Sequence, residues 1–335
     1  MFVSGHIEII QDVIDNYLPK DFFPSKKSIK DLFVGLQYPD VPCGKYKIAS
    51  NNTILFKRAK LCELTKFFKL LSSVHYGESK IFQFHKGYFA HLHSMSTDPE
   101  NTVVKIRDKI ITSIIGYALL SFYDDNIFAE TREMKPNSFW IGIILHMITD
   151  SYSPAHTIRN DNYSKVVSIE KDTELLERLK IHEHIKNLAK EDKLYKKHEF
   201  KYKNSQFWGI YKVFKFEYNI NKIIKKEFDF DSEFKIKIKT YKEKPGDIKS
   251  FQYYGNQSIL MHSQLDLLSY VKDAKHIYNR MIHECKTLLV LYKKAIETQD
   301  IHKFIKDLVK LLLNGTYRIS AENLKKKTDT IANFF

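Results

Sequence analysis

The most apolar run in the chain is Phe139 to Thr149, FWIGIILHMIT, where only Gly142 weakens a helix. This pattern predicts a buried helix. His146 and Asp150 stand four residues apart on it, so both side chains leave from one face. Pro154 predicts its stop, with His156 in the turn that follows. A helical stripe also runs over residues 5 to 17, through Ile7, Ile9, Ile10, Val13, Ile14 and Tyr17, with His6 at its mouth. Further helices are expected over residues 58 to 73, 101 to 123, about 170 to 197, 257 to 298 and 302 to 313, with Gly315 as the last stop. The helix over 101 to 123 is expected to pack beside the one carrying His146.

Two interruptions shape this helical reading. In Tyr38-Pro39-Asp40-Val41-Pro42-Cys43 the two prolines exclude continuous helix and predict a loop that holds one carboxylate rigidly. Over residues 199 to 254 the period changes to two, most clearly where Phe234, Ile236 and Ile238 alternate with Lys235, Lys237 and Lys239. That segment reads as a small antiparallel β insertion with one apolar and one cationic face. With no internal repeat or low-complexity linker, residues 1 to 335 read as one mainly α domain carrying the insertion.

Composition adjusts the picture in three ways. At 335 residues and 43% apolar content the chain can bury a substantial core. Its 54 Lys and Arg against 40 Asp and Glu give a net charge of +14, which favours polyanionic partners such as nucleic acid or an anionic membrane, unless the lysines simply reflect an AT-rich genome. Cys43, Cys62 and Cys285 are too few and too scattered for a disulfide framework and form no C-x2-C pair, so a reducing compartment is expected. The N-terminus has no signal-peptide pattern and no run reaches the ~18 apolar residues of a membrane span, so a cytoplasmic or peripheral membrane protein is expected.

Candidate chemistry centres on His146, Asp150 and His156, spaced H-x3-D-x5-H. Zinc is bound by histidine nitrogen and carboxylate oxygen as well as by thiolate, so a cysteine-free site needs several His and carboxylates to converge. The plain alternative is a buried helix with hydrogen-bonded polar groups. Other candidates are His6, Asp40, a histidine-dense stretch holding His75, His85, His91 and His93, and a second i,i+4 pair, His262 and Asp266.

In chain order, Gly5-His6, Tyr38-Pro39-Asp40, His93, His146-x3-Asp150-x5-His156 with Pro154, and His262-x3-Asp266 resemble the ligand set of the zinc-dependent phospholipase C and single-strand nuclease superfamily. The Tyr-Pro-Asp loop resembles the bacterial phospholipases C more than the nucleases. The resemblance implies a multi-helical fold with up to three zinc ions in a cleft. One ion would take Asp40, His93 and His146, with His91 and His85 as rivals for the single histidine. A second would take His6 and the terminal amine, and Asp150 would bridge the two. In the family that amine belongs to a tryptophan freed by signal cleavage; here Met1 takes its place, or that ion is weak or absent. The third ion would take His156, His262 and Asp266, and Asp40 would orient the attacking hydroxide. The activity implied is phosphodiester hydrolysis, first as a phospholipase C acting at a phospholipid or anionic membrane surface. The alternatives are a single-strand nuclease, with the insertion supplying lysines and Trp208 for single-stranded nucleic acid, and an inactive relative that serves as a binding or structural protein.

Overall fold

The computed structural model describes residues 3–40, 45–48, 54–57, 87–123, 133–160, 244–253, 266, 271–272 and 274–323. Of these, 66% are helical, which makes the protein mainly α. The elements in order are α1 (Val3–Tyr17), α2 (Lys26–Gln37), β1 (Lys45–Ile48), β2 (Ile54–Lys57), a 3-10 helix (Gly87–His93), α3 (Val103–Tyr123), α4 (Ser138–Asp150), β3 (Thr157–Arg159), β4 (Ile248–Phe251), α5 (Lys275–Thr298) and α6 (Ile301–Asn314).

α4 is the axis of the molecule. Every residue from Trp140 to Asp150 is buried, as expected for a helix apolar on all sides. Asn137 caps its start by accepting a hydrogen bond from Phe139 N at 3.1 Å. Its end comes earlier than Pro154 requires: Ser151 closes α4, and Ser153 N then bonds Asp150 O at 2.9 Å to form a tight turn. α2 lies against α4 so closely that Gly35 and Gly142 are both needed. A Cβ on Gly142 would stand 2.5 Å from Leu36 N, and one on Gly35 would stand 2.7 Å from the Phe139 carbonyl carbon. α3 packs beside α4, where the parallel rings of Tyr117 and Trp140 stack at 6.1 Å.

α1 and α6 present apolar stripes to this centre. Ile9, Ile10 and Val13 of α1 and Phe304, Ile305, Leu308 and Leu312 of α6 are buried. Asp300 caps α6 by accepting from Lys303 N at 2.9 Å, and Gly315 closes it, as its sequence position suggests. Cys285 is a free thiol in the core, where burial and Glu284 push its pKa well up.

The strands form two antiparallel pairs, β1 with β2 and β3 with β4. β4 falls at the end of the expected insertion, and residues 199–243 lie outside the described residues, as do the helices expected over 58 to 73 and 170 to 197. β4 acts as a clasp: Gln252 N donates to His156 O and Gln252 O accepts from Ser96 N, both at 2.8 Å. The segments after His93 and after Asp150 are thereby held together. Buried Arg159 completes the clasp by donating to the carbonyls of Ser151, Gly246 and Thr316 at 2.8, 2.7 and 2.9 Å, with its guanidinium 4.2 Å from the Tyr152 ring centre. No helix among the described residues is long and apolar enough to cross a membrane.

Candidate metal centre

Six separate stretches of chain deliver side chains to one buried point. His6 comes from α1, Asp40 from the turn after α2, and His93 from the end of the 3-10 helix. His146 and Asp150 come from the last turns of α4, His156 from the turn beyond it, and Asp266 stands in a turn conformation rather than the helix its spacing predicts. The side chains of His6, His93, His146, Asp150 and His156 are fully buried, whereas that of Asp40 keeps 10% of its surface exposed. Met1 and His262 lie outside the described residues, as does His85.

Asp150 stands between the histidines. Its Oδ2 lies 2.9 Å from both His93 Nδ1 and His146 Nε2, and its Oδ1 lies 3.2 Å from His6 Nε2 and 3.3 Å from His156 Nδ1. Asp40 adds a second carboxylate, with Oδ2 3.6 Å from His6 Nε2 and Oδ1 3.7 Å from His93 Nδ1. Asp266 Oδ1 lies 3.5 Å from His156 Nε2 and accepts a hydrogen bond from Ser153 Oγ at 2.6 Å. Three overlapping groups could each hold a metal ion: His6, Asp40 and His146; His93, His146 and Asp150; and Asp150, His156 and Asp266. His91, the neighbouring candidate, is buried but belongs to none of them.

The outer hydrogen bonds fix which imidazole nitrogen faces inward. His146 Nδ1 lies 2.8 Å from Leu36 O, which can only accept, so Nδ1 carries the proton and Nε2 turns its lone pair to the centre. At His6 the same logic passes through Thr149. The Thr149 hydroxyl gives its proton to the carbonyls of Leu145 and His146 at 2.9 and 3.0 Å, so it accepts from His6 Nδ1 at 2.6 Å. His6 Nε2 therefore presents a lone pair to two carboxylates. Both His6 Nε2 and Asp40 Oδ2 are buried with no hydrogen-bond partner. Lone pairs facing one another in a dry interior repel, a repulsion that a cation between them would relieve.

The spacing would suit such an ion. Two donors on one tetrahedral zinc, each at about 2.0–2.2 Å, are separated by roughly 3.4 Å. His6 Nε2 to Asp150 Oδ1 at 3.2 Å, His6 Nε2 to Asp40 Oδ2 at 3.6 Å, His93 Nδ1 to His146 Nε2 at 3.2 Å and His156 Nε2 to Asp266 Oδ1 at 3.5 Å all fall near that value. A donor set of imidazole and carboxylate without thiolate suits a borderline divalent ion.

Protonation follows the same pattern. Burial pushes His6 down to about 3 and His93 down to about 4, so both are neutral near pH 7. Burial pushes Asp40 up to about 7. Burial also opposes the charge on Asp150, but His156, His146 and His6 together hold its carboxyl well below the usual carboxylate range. At His146 burial is outweighed by Asp150 and Asp40, which raise its pKa. The neutral imidazoles of His6 and His93 beside an ionised Asp150 are donors in the form a metal takes.

Thr149, Arg159 and Gln252 shape the centre without any signal in the ligand spacing. Only Arg159, a charge closing an otherwise uncharged 151–158 stretch apart from His156, stands out along the chain. No family model matches the chain, nor does any curated protein or solved structure.

Proposed function

We propose that this chain is a zinc-dependent phosphodiester hydrolase of the phospholipase C and single-strand nuclease type, acting as a phospholipase C that releases diacylglycerol and a phosphorylated headgroup. The observation that carries the reading is the set of three metal-competent groups that overlap at His146 and Asp150. Joined groups of this kind suit two-metal phosphoester chemistry with an additional ion. His93, His146 and Asp40 would hold one zinc, His6 and Asp40 a second beside it, and His156 with Asp266 a third, while Asp150 faces all three positions. When bound, paired zinc ions supply Lewis acidity toward phosphate oxygens and a water of lowered pKa.

The protein groups do the positioning. Asp40, which has the most exposed side chain of the candidate ligands among the described residues, is where water and substrate would reach the centre. Its Oδ2 has no hydrogen-bond partner and can accept a hydrogen bond from the attacking water, setting the direction of attack. Leu36 O and Thr149 Oγ1 hold His146 and His6 in the tautomers the site requires.

The test is direct. Elemental analysis of the purified chain should find two or three zinc ions, and the metal-loaded protein should release phosphorylated headgroup from phosphatidylcholine vesicles. His146→Ala should abolish that release. The net charge of +14 favours the nuclease as second reading, and intact vesicles beside degraded single-stranded DNA would select it. Less than one zinc per chain would instead favour a catalytically inactive relative that binds a partner.

A further inference from the structure

In the group of His93, His146 and Asp150, His93 alone does not stand on α4, so its place against that helix has to be fixed by other contacts. The chain turns sharply just after it. Ser94 has φ 53°, in the left-handed region that serine enters at a cost, and Gln299 is the only other non-glycine residue there among the described residues. Ser94 N donates to His91 O and Met95 N to Ala90 O, both at 3.0 Å, the pair of bonds that closes a helix on a left-handed residue. Glycine is the usual occupant of that position, because it has no Cβ to clash. A serine there is explained by what its hydroxyl does.

That hydroxyl is buried and joins two ligand-bearing segments. Ser94 Oγ donates to Met147 O at 2.6 Å, and Met147 follows His146 in the chain as Ser94 follows His93. The bond ties together the backbone beside two histidines whose facing nitrogens, His93 Nδ1 and His146 Nε2, lie 3.2 Å apart. Tyr317, from the segment after α6, brings a second buried hydroxyl, 2.6 Å from Ser94 Oγ and 2.9 Å from Met147 O. Burial pushes the Tyr317 hydroxyl up, so it keeps its proton and stays a donor. The arrangement that uses both shortest contacts runs from Tyr317 to Ser94 and from Ser94 to the Met147 carbonyl. Tyr317 is itself anchored, since the preceding Thr316 O accepts from Arg159 of the clasp at 2.9 Å.

We propose that Ser94 and Tyr317 are positioning residues of the metal centre: their hydroxyls hold His93 against α4 and so set how tightly the group of His93, His146 and Asp150 takes a divalent ion. This role rests on the reading of the site as a metal centre, and neither hydroxyl is a ligand.

Ser94→Gly tests it. Glycine fits the left-handed turn without the cost that serine bears, which offsets the lost hydrogen bond, and Tyr317 still reaches Met147 O, so no buried group is left unpaired. The melting temperature of the metal-free chain should therefore stay close to the parent's. Zinc affinity, read by competition with a chromogenic chelator, should fall about tenfold, as when outer partners of a ligand are lost. Tyr317→Phe leaves Ser94 bonded to Met147 O and should weaken zinc by a smaller factor. In the cobalt-loaded protein the visible absorption of Ser94→Gly should change in position or intensity, because those bands follow ligand geometry. Unchanged zinc affinity in Ser94→Gly, with the parent still binding zinc, would overturn the proposal. So would a lowered metal-free melting temperature with an unchanged cobalt spectrum, which would make the hydroxyl a structural prop only. A parent chain that takes up no zinc would overturn the metal reading and this role with it.

Discussion

Thr149 sets the chemistry of His6. Its hydroxyl accepts from His6 Nδ1 only because its own proton is committed to helix carbonyls, and that leaves Nε2 as a lone pair facing Asp40 and Asp150. Thr149→Val keeps the shape and removes the acceptor. The expected result is a folded protein whose zinc affinity falls roughly ten- to a hundredfold, as when other orienting partners of a ligand are lost. Competition against a chromogenic chelator measures it, and unchanged affinity would refute the tautomer assignment. The depressed histidines make a second forecast for the metal-free chain. His6 and His93 sit at about 3 and about 4 when folded but at the ordinary 6.5 when unfolded. Between pH 6.5 and 4 the unfolded chain therefore takes up two protons that the folded chain refuses, and stability falls with acidification. Asp40 acts oppositely: raised from 3.8 to about 7, it stabilises at low pH and loses that contribution as pH rises through 7. His146, raised above 6.5, opposes the loss only near the top of that window, so the two lowered histidines outweigh Asp40 below it and leave a net loss on acidification, which urea midpoints of the metal-free chain would register; a midpoint that rises would mean the histidines are protonated in the fold.

The helix pair α2 and α4 carries the register of the centre, because Leu36 O of one holds His146 Nδ1 of the other at 2.8 Å. Their contact is backbone on backbone. A methyl at Gly142 would meet Leu36 N at 2.5 Å and Gly35 C at 2.8 Å, atoms that cannot rotate away. Gly142→Ala should therefore destabilise by roughly 3 kcal/mol, the upper end of ordinary overpacking, and weaken zinc binding along with it. Thermal melts and zinc titration of the variant would show both effects, whereas loss of stability alone would separate the helix contact from the site. In isolation Gly142 reads as a weak point in an apolar helix; it is a contact surface, and that meaning exists only once α2 is beside it. The same limit explains which parts of the centre were legible. His146 and Asp150 share one helix, so their spacing reveals a common face. Choosing His93 over His91 depends on the turn of a 3-10 helix, which carries no periodic signal, and Asp266 reaches the centre from a turn where a helix was expected. Thr149 and Arg159 act through hydrogen bonds to carbonyls, which no pattern of side chains records.

At the scale of the whole molecule, the candidate ligands span more than three quarters of the 335-residue chain, from His6 to Asp266, and few of them meet through local structure. An ion held by such a set binds only the folded arrangement, since the unfolded chain scatters the donors. Its binding energy is therefore folding energy. At a free zinc concentration a hundred times the dissociation constant, one site adds about 2.7 kcal/mol. The unmetallated centre adds the opposite term, because the carboxylates of Asp40 and Asp150 face His6 Nε2 across a dry gap. Removing zinc with a chelator should lower the melting temperature by several degrees, given about 2–4 °C per kcal/mol for domains somewhat smaller than this one. The drop should be largest in segments the ion joins, so hydrogen exchange at α1 and at the end of α4 should quicken more than in α6, whose buried face packs away from the ligands. Asp150→Asn serves as the control: it removes the carboxylate that faces all four histidines of the centre, and its melting temperature should respond to chelator less than the parent's does. A parent chain that melts alike with and without chelator would show that these buried histidines and carboxylates hold no structural ion.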